Sequence, residues 1–70
     1  MPALIAALAD PDAHDSADTV LRKYARVEAE TTISLLIQAS KEEQNPVSVR
    51  FRAAEIVRAV APERARAEGL

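Results

Sequence analysis

Few side chains in this sequence have the type and spacing that chemistry requires, and most of them lie in one acidic segment. The run Asp10-x-Asp12-x-His14-Asp15 resembles the start of a calcium-binding loop. Such a loop also needs a glycine at its sixth position and a glutamate at its twelfth, where this chain has Asp15 and Leu21. We therefore predict that no metal is bound and that these acids stabilise a helix N-terminus, where negative charge is favourable.

The remaining polar residues do not indicate catalysis. His14 is the only histidine, and the chain has no cysteine. A serine nucleophile needs a general base that is itself held in place by a third group. The sequence offers no serine both a base and a group to orient that base. The only glycine is Gly69, so there is no glycine-rich loop to hold a phosphate group. We predict that the protein is not an enzyme and binds no cofactor.

The length and composition limit the class of site that the chain can build. It has 70 residues, and 15 of its 34 hydrophobic residues are alanine. So little apolar volume argues against a deep pocket of roughly 300–1,000 Å³ for a small molecule. We therefore expect a single domain, residues 1–70, that works by binding another macromolecule.

Neither a membrane segment nor a signal peptide is predicted. The longest apolar stretch covers residues 3–9, far short of the roughly 20 residues that a membrane helix needs. No basic residue precedes Arg22, whereas a signal peptide begins with a positively charged region. We expect a cytoplasmic protein with no membrane partner.

Charge is unevenly distributed along the chain, although the net value is only −2. Residues 1–21 carry four aspartates and no basic residue, for a charge of −4, whereas residues 49–70 carry five arginines and three glutamates, for +2. This segregation predicts attraction between the two ends, within one chain or between copies. The overall acidity disfavours general binding to nucleic acid, because phosphate neutralisation requires a basic surface.

The first helix predicted from the apolar spacing covers residues 2–9. Pro11 ends it, because proline disfavours helical backbone at the residue before it. The next helix has two alternative starts: Asp10 caps it directly, or a later cap starts it near Ser16 after a turn over residues 10–15. We favour the second start.

The middle helix, predicted over residues 16–40, carries two apolar strips on nearly opposite sides. We assign the first strip to the core of the chain, and it consists of Val20, Tyr24, Val27, Thr31 and Leu35. A helix with two apolar sides is usually covered on both, so the second strip is the expected homodimer interface. It consists of Ala25, Ala29, Ile33 and Leu36. Because Thr31 and Thr32 are β-branched, a strand or a helix break at Thr31 is the alternative.

A third helix is predicted over residues 46–61. Asn45 is a favourable capping residue, and Pro46 suits the first helical position, where no backbone N–H is needed. Pro62 ends or kinks this helix, and a short C-terminal turn follows that Gly69 stops. The apolar residues predicted to face the core are Val49, Ala53, Ile56, Val57 and Val60.

These elements predict an all-α fold, a small three-helix bundle with a short C-terminal turn. Residues 46–57 have the pattern Pro-x-x-x-Arg-x-x-Ala-Ala-x-x-aliphatic. This pattern resembles the second helix of HEAT-type repeats and a C-terminal segment of some phage terminase small subunits, and residues 4–12 and 35–40 resemble first helices of such repeats. The resemblance implies HEAT-like helical hairpins and an interaction module of phage or bacterial origin.

Phe51 projects away from the predicted core side of the third helix. One interpretation is that it packs under the loop 41–45 or against the first helix. The other is that it is an exposed aromatic anchor ringed by arginine, since both residue types are typical of interface centres. On the second interpretation, the partner-binding residues are Val47, Arg50, Phe51 and Arg58.

The function that these observations favour is a small helical protein-binding module. It would be a phage-derived or bacterial regulator or adaptor that docks onto a host or phage protein. One alternative is a nucleic-acid-binding packaging or regulatory protein similar to a terminase small subunit. Its phosphate contacts would be Arg50, Arg52, Arg58, Arg64 and Arg66.

The other alternative is a purely structural oligomerisation element. A chain below about 70–80 residues rarely gains much stability from its own core. Disulfides are excluded by the lack of cysteine, and no metal is predicted. We therefore expect association, with a homodimer as the functional unit.

Overall fold

The computed structural model describes residues 2–70, and all regular structure among them is helical. The elements are α1 (Pro2–Ala6), which continues into a 3₁₀ turn (Ala7–Ala9), α2 (His14–Val27), α3 (Ala29–Lys41), α4 (Val47–Val60) and α5 (Pro62–Ala67). The all-α prediction is confirmed for this part of the chain. The predicted three helices become five, because the middle helix is divided and the C-terminal turn is a helix of its own. None of these helices is both long enough and apolar enough to cross a membrane.

The N-terminal helical segment ends where proline requires it to end. Asp10 has extended backbone (φ −82°, ψ 120°) directly before Pro11. Its Oδ1 accepts the Asp12 N–H at 2.8 Å, and its carbonyl oxygen accepts the His14 N–H at 2.9 Å. After this turn, α2 begins at His14, two residues before the predicted start. No side chain caps α2, so the expected cap at its N-terminus is wrong.

The middle helix is broken at Glu28, and its predicted continuity over residues 16–40 is wrong. Glu28 lies outside the helical region (φ −123°, ψ 65°), although its N–H still donates to the Tyr24 carbonyl at 2.7 Å. Its own carbonyl accepts the Thr32 N–H at 3.0 Å, which starts α3. The alternative break at Thr31 was therefore placed three residues too late, and no strand forms there. The break lets α2 and α3 take separate directions and both pack against α4.

The two strips of the middle helix have the reverse of their predicted roles. Tyr24 and Val27 are exposed, Thr31 is exposed, and Val20 and Leu35 are only half-buried. The core side of α2 consists instead of Ala17, Leu21 and Ala25. Two small alanines around one leucine let the α2 backbone approach its neighbours closely, which the bulkier Val–Tyr–Val strip does not allow.

Helix α4 is the centre of the fold, since every other described helix and the 3₁₀ turn contact it. Its predicted core residues Val49, Ala53, Ile56 and Val57 are buried, and Val60 is half-buried against the same cluster. From the other elements, the largest side chains that are fully enclosed are Leu8, Leu21 and Leu36. Described residues span 30 × 26 × 16 Å.

The start of α4 differs in detail from the predicted cap. Pro46, with φ −54° and ψ 149°, precedes the first helical residue Val47, and the Asn45 side chain does not cap α4. Asn45 serves the preceding helix instead, because its Nδ2 donates to the Ala39 carbonyl at 3.0 Å. That carbonyl lies in the last turn of α3, where backbone acceptors lack helical partners.

The C-terminal end is closed by the predicted glycine. Gly69 has a φ of +76°, and its N–H donates to the Arg66 carbonyl at 3.2 Å. The Leu70 N–H donates to the Ala65 carbonyl at 2.7 Å. This pair of bonds is a Schellman motif, and the accompanying apolar contact is made by Leu70 against the core that includes Ala65.

Candidate interaction surfaces

One side of α4 points away from the core and carries large apolar residues. Val47 is 69% exposed and Phe51 is 59% exposed. The same side continues through the small side chain of Ala54, which is buried, to the exposed Arg58. The spacings of four, three and four residues place all of them along one line of the helix. We call Val47, Phe51, Ala54 and Arg58 the α4 outer face.

Phe51 therefore does not pack under the loop or against α1, as one interpretation proposed. It lies on the surface with Val47, and a depression of about 410 Å³ runs beside it. The residues that line this depression are Val47, Ser48, Phe51, Arg52 and Glu55. The side chain is available for contact without any change of fold.

Arg50 differs from the other predicted partner-binding residues. It is half-buried, and its Nε donates to the Asn45 carbonyl at 3.1 Å. This bond holds the α3–α4 loop against the first turn of α4, so Arg50 has a structural partner. Val47, Phe51 and Arg58 are brought together on one face, and Arg50 is not part of it.

The only acidic residue of α4 is already engaged by a neighbouring helix. Glu55 Oε1 lies 3.8 Å from Arg22 Nη2, and Arg22 also pairs with Asp18 one turn earlier in α2. These ion pairs are partly exposed, and such pairs contribute about 0–1 kcal/mol each. Their consequence here is mainly local, because they partly neutralise Glu55 from the α2 side.

The arginines beside the α4 outer face are not engaged in this way. Within residues 2–70, neither Arg52 nor Arg58 lies within ion-pair distance of a carboxylate. Together with the single glutamate Glu55, these two arginines give the border of the face a net charge of +1. The α4 outer face is therefore an apolar strip with a positively charged border.

A second apolar surface lies on α2, where the sequence predicted core. Tyr24 is 44% exposed and Val27 is 78% exposed. With the half-buried Val20 they line a depression of about 430 Å³, together with Lys23 and Glu28. We call Val20, Tyr24 and Val27 the α2 outer face. Its one lysine and one glutamate balance in charge.

Sequence analysis missed the α2 outer face because both strips of the middle helix are apolar. The signal that distinguishes them is residue size. The Ala17, Leu21 and Ala25 strip suits close helix packing, whereas a strip with Val27 next to a break at Glu28 lacks a neighbour to cover it. That break depends on packing between helices, which spacing along the chain does not encode.

The predicted homodimer strip is largely inside the chain. Ala25, Ile33 and Leu36 are buried in the core of the single chain, and only Ala29 is exposed. They pack there because α2 and α3 both turn this side toward α4. A side chain enclosed within one folded chain is not available to a second copy, so three of the four predicted residues are excluded from any surface contact.

The acidic segment before α2 does not form a metal centre in the described part of the chain. No group of three or more potential ligands converges among residues 2–70. His14 Nδ1 lies 3.0 Å from Asp15 Oδ1, and Asp10 uses its Oδ1 to accept the Asp12 N–H. Of these acids, Asp10 shapes the turn that leads into α2.

A further groove separates the N-terminal segment from the α3–α4 hairpin. Its volume is about 350 Å³. The residues that line it are Ile5, Ala6, Ala9, Leu35, Gln38, Ala39, Glu42, Asn45, Pro46 and Val49. It is largely apolar and open to solvent, and it brings together no group that could do chemistry.

One surface ion pair holds the C-terminal end to α3. Lys41 Nζ lies 2.6 Å from Glu68 Oε1. The hydrogen bond from Lys41 and its positive charge lower the pKa of Glu68 below its ordinary value of 4.5, and the charge of Arg64 acts in the same direction. This pair lies outside both outer faces.

Comparison with known proteins adds no relative on which a function could be based. No protein-family model, curated protein or solved structure matches the chain. The resemblance of residues 46–57 to HEAT-type repeats and to terminase small subunits stays a prediction.

Proposed function

We propose that this chain is a small non-enzymatic protein-binding module, a phage-derived or bacterial regulator or adaptor, that docks onto a partner protein through the α4 outer face. The observation that carries the proposal is the exposure of Val47 and Phe51 side by side on a helix that also presents Arg58. Aromatic and arginine residues are enriched at the centres of protein interfaces.

The position of this face on the fold supports the proposal. Because α4 contacts every other described helix, its outer residues are presented by the best-supported backbone of the molecule. A rigid support reduces the entropy lost when Phe51 is fixed against a partner. The inner side of the same helix supplies Ile56 and Val57 to the core, so binding and folding use separate residues.

The experiment that tests the proposal compares two matched surface changes. Phe51→Glu and Val27→Glu each place a carboxylate where an exposed apolar residue stood, one on each outer face. Affinity capture from a bacterial lysate with and without phage infection should recover a partner with the wild-type chain. We expect Phe51→Glu to abolish that capture and Val27→Glu to leave it unchanged. Equal loss with both variants, or capture that survives Phe51→Glu, contradicts docking through α4.

A second candidate function, homo-oligomerisation, is favoured by the α2 outer face. Tyr24 and Val27 are exposed there with a balanced charge border, and a two-fold contact places the same patch on both subunits. Sedimentation equilibrium should then show a dimer that Val27→Glu dissociates and Phe51→Glu does not. A wild-type monomer at tens of micromolar contradicts this candidate.

Nucleic-acid binding is distinguished from protein binding by comparing removal of Phe51 with removal of Arg58. If the arginines contact phosphate, double-stranded DNA should bind with an affinity that falls steeply with salt. Removing Phe51 should then matter less than removing Arg58. We expect no such binding, because the chain carries a net charge of −2 and its arginines border an apolar strip.

A further inference from the structure

We propose that the partner segment recognised by the α4 outer face is an amphipathic helix with acidic residues along the sides of its apolar strip. This inference rests on the proposed function and deepens it by naming the chemistry of the partner. It depends on two observations, the charge that borders the face and the linear arrangement of its apolar residues.

The charge border favours an acidic partner. Arg52 and Arg58 are not paired with any carboxylate among residues 2–70, and Glu55 is partly neutralised by Arg22. A partner that contacts Val47 and Phe51 therefore lies near the unpaired positive charges of these arginines. Acidic residues at its flanks gain attraction there, whereas basic residues are repelled.

The shape of the face favours a helix. Residues 47 to 58 extend over about 16 Å of α4, since each residue of a helix rises 1.5 Å. Within this length Val47 and Phe51 stand out from the surface one turn apart, a spacing that suits the ridges and grooves of a second helix. No strand edge is present between residues 2 and 70, so pairing by an added strand has no template.

A second copy of the chain does not fit this face. Two α4 outer faces would bring together the unpaired Arg52 and Arg58 of each copy, opposed only by Glu55, which Arg22 partly neutralises. The α2 outer face of another copy is bordered by Lys23 and Glu28 and offers no excess of acid. Since neither outer face of a second copy supplies an acidic apolar strip, we assign the complement to a different protein.

The test uses a phage-displayed library of 18-residue helices with a constant apolar strip. Each flanking position varies between Glu, Gln and Lys, and selection is carried out against the folded full chain. We expect Glu to be enriched over Lys on the wild-type chain and the preference to reverse on the double variant Arg52→Glu/Arg58→Glu. The control Lys23→Glu/Arg66→Glu changes net charge equally away from α4 and should keep the wild-type preference.

The affinity of a selected acidic helix should fall about fivefold on Arg52→Glu/Arg58→Glu, measured by anisotropy of the labelled peptide, as expected for two exposed ion pairs. It should be lost with Phe51→Glu. The inference is overturned if the selection shows no preference at the flanking positions or prefers Lys there. It is also overturned if no helix is selected, or if the selected helices still bind the Phe51→Glu variant.

Two other outcomes identify a different occupant, and a third separates the inference from the proposed function. Displacement of the helix by double-stranded DNA, with a steep salt dependence, overturns the inference in favour of nucleic acid. Self-association that Phe51→Glu abolishes overturns it in favour of a second copy. If Phe51-dependent capture of a protein succeeds while the library yields no acidic helix, the proposed function stands and only the partner chemistry is wrong.

Discussion

The outer faces of α2 and α4 have similar apolar content and different borders. The α2 outer face exposes Tyr24 and Val27 between one lysine and one glutamate. The α4 outer face exposes Val47 and Phe51 beside arginines that have no described ion-pair partner. Burial of either strip gains about 25 cal/mol for each Å² of apolar surface, so apolar area alone does not distinguish them.

The difference in border charge means that the two faces select different partners. A balanced border permits contact between identical surfaces, because each copy can place its lysine near the other's glutamate. A border with an excess of one sign, as at Arg52 and Arg58, repels an identical surface and selects a partner of opposite charge. The same chain can therefore combine a surface suited to its own copies with one suited to a foreign partner.

The largest effect on stability is expected in the core. The same denaturation measurement, made at two protein concentrations, tests whether the chain folds without either outer face being covered. Leu36 is fully enclosed at the centre of the core. Leu36→Ala should lower the free energy of unfolding by about 2–5 kcal/mol, the cost of a cavity that partly collapses. Urea denaturation of the Val27→Glu variant, which carries a carboxylate in the α2 outer face, should give the same midpoint at 5 µM and at about tenfold higher concentration. A midpoint that rises with concentration means that an outer face is part of the folding unit.

A smaller effect in the opposite direction is expected next to the break that exposes the α2 outer face. Thr32 is fully buried, and its Oγ1 has no hydrogen-bond partner within residues 2–70. Thr32→Val keeps the shape and removes the unsatisfied hydroxyl, so it should raise the free energy of unfolding by about 1 kcal/mol. Thr32→Ser keeps the hydroxyl, removes the methyl group and should lower the stability. Destabilisation by Thr32→Val means that the hydroxyl is satisfied in solution.

The outer faces themselves should contribute little to folding. Phe51→Ala and Val27→Ala alter exposed side chains, and each should change the free energy of unfolding by less than about 0.5 kcal/mol. Partner binding should respond to the first and self-association to the second. If either variant loses more than about 1 kcal/mol of stability, the substituted residue is buried in solution. Its face is then not a free interaction surface.

Helix content, the stop before Pro11 and the C-terminal glycine motif were predictable because local backbone chemistry determines them. The division of the middle helix was not. Glu28 has no feature that marks a break, and the break forms because α2 and α3 must both reach α4. The two strips exchanged roles for another reason: both are apolar, and the strip that contains Ala25, Ile33 and Leu36 is buried on both sides of the break.

The candidate site on α4 was largely predictable because that helix is continuous. Spacing alone separated Phe51 from the core side, and the exposed position of Val47, Phe51 and Arg58 agrees with it. The engagement of Arg50 by the Asn45 carbonyl was not predictable, since it depends on how the α3–α4 loop folds back.

The smallest effect on stability is expected at the C-terminal end, where the Lys41–Glu68 ion pair lies outside both outer faces. Lys41 lowers the pKa of Glu68 in the folded chain. A carboxyl with a lowered folded pKa contributes stability above its unfolded pKa and loses it as the pH falls through the folded value. The Glu68→Gln variant should therefore be slightly less stable than the wild-type chain at pH 7, and the difference should disappear below the ordinary value of 4.5. Thermal unfolding of both proteins from pH 7 to pH 3 measures this. Peptide binding at α4 should not differ between them at any pH, because Glu68 lies outside that face, and a parallel change in binding contradicts the separation.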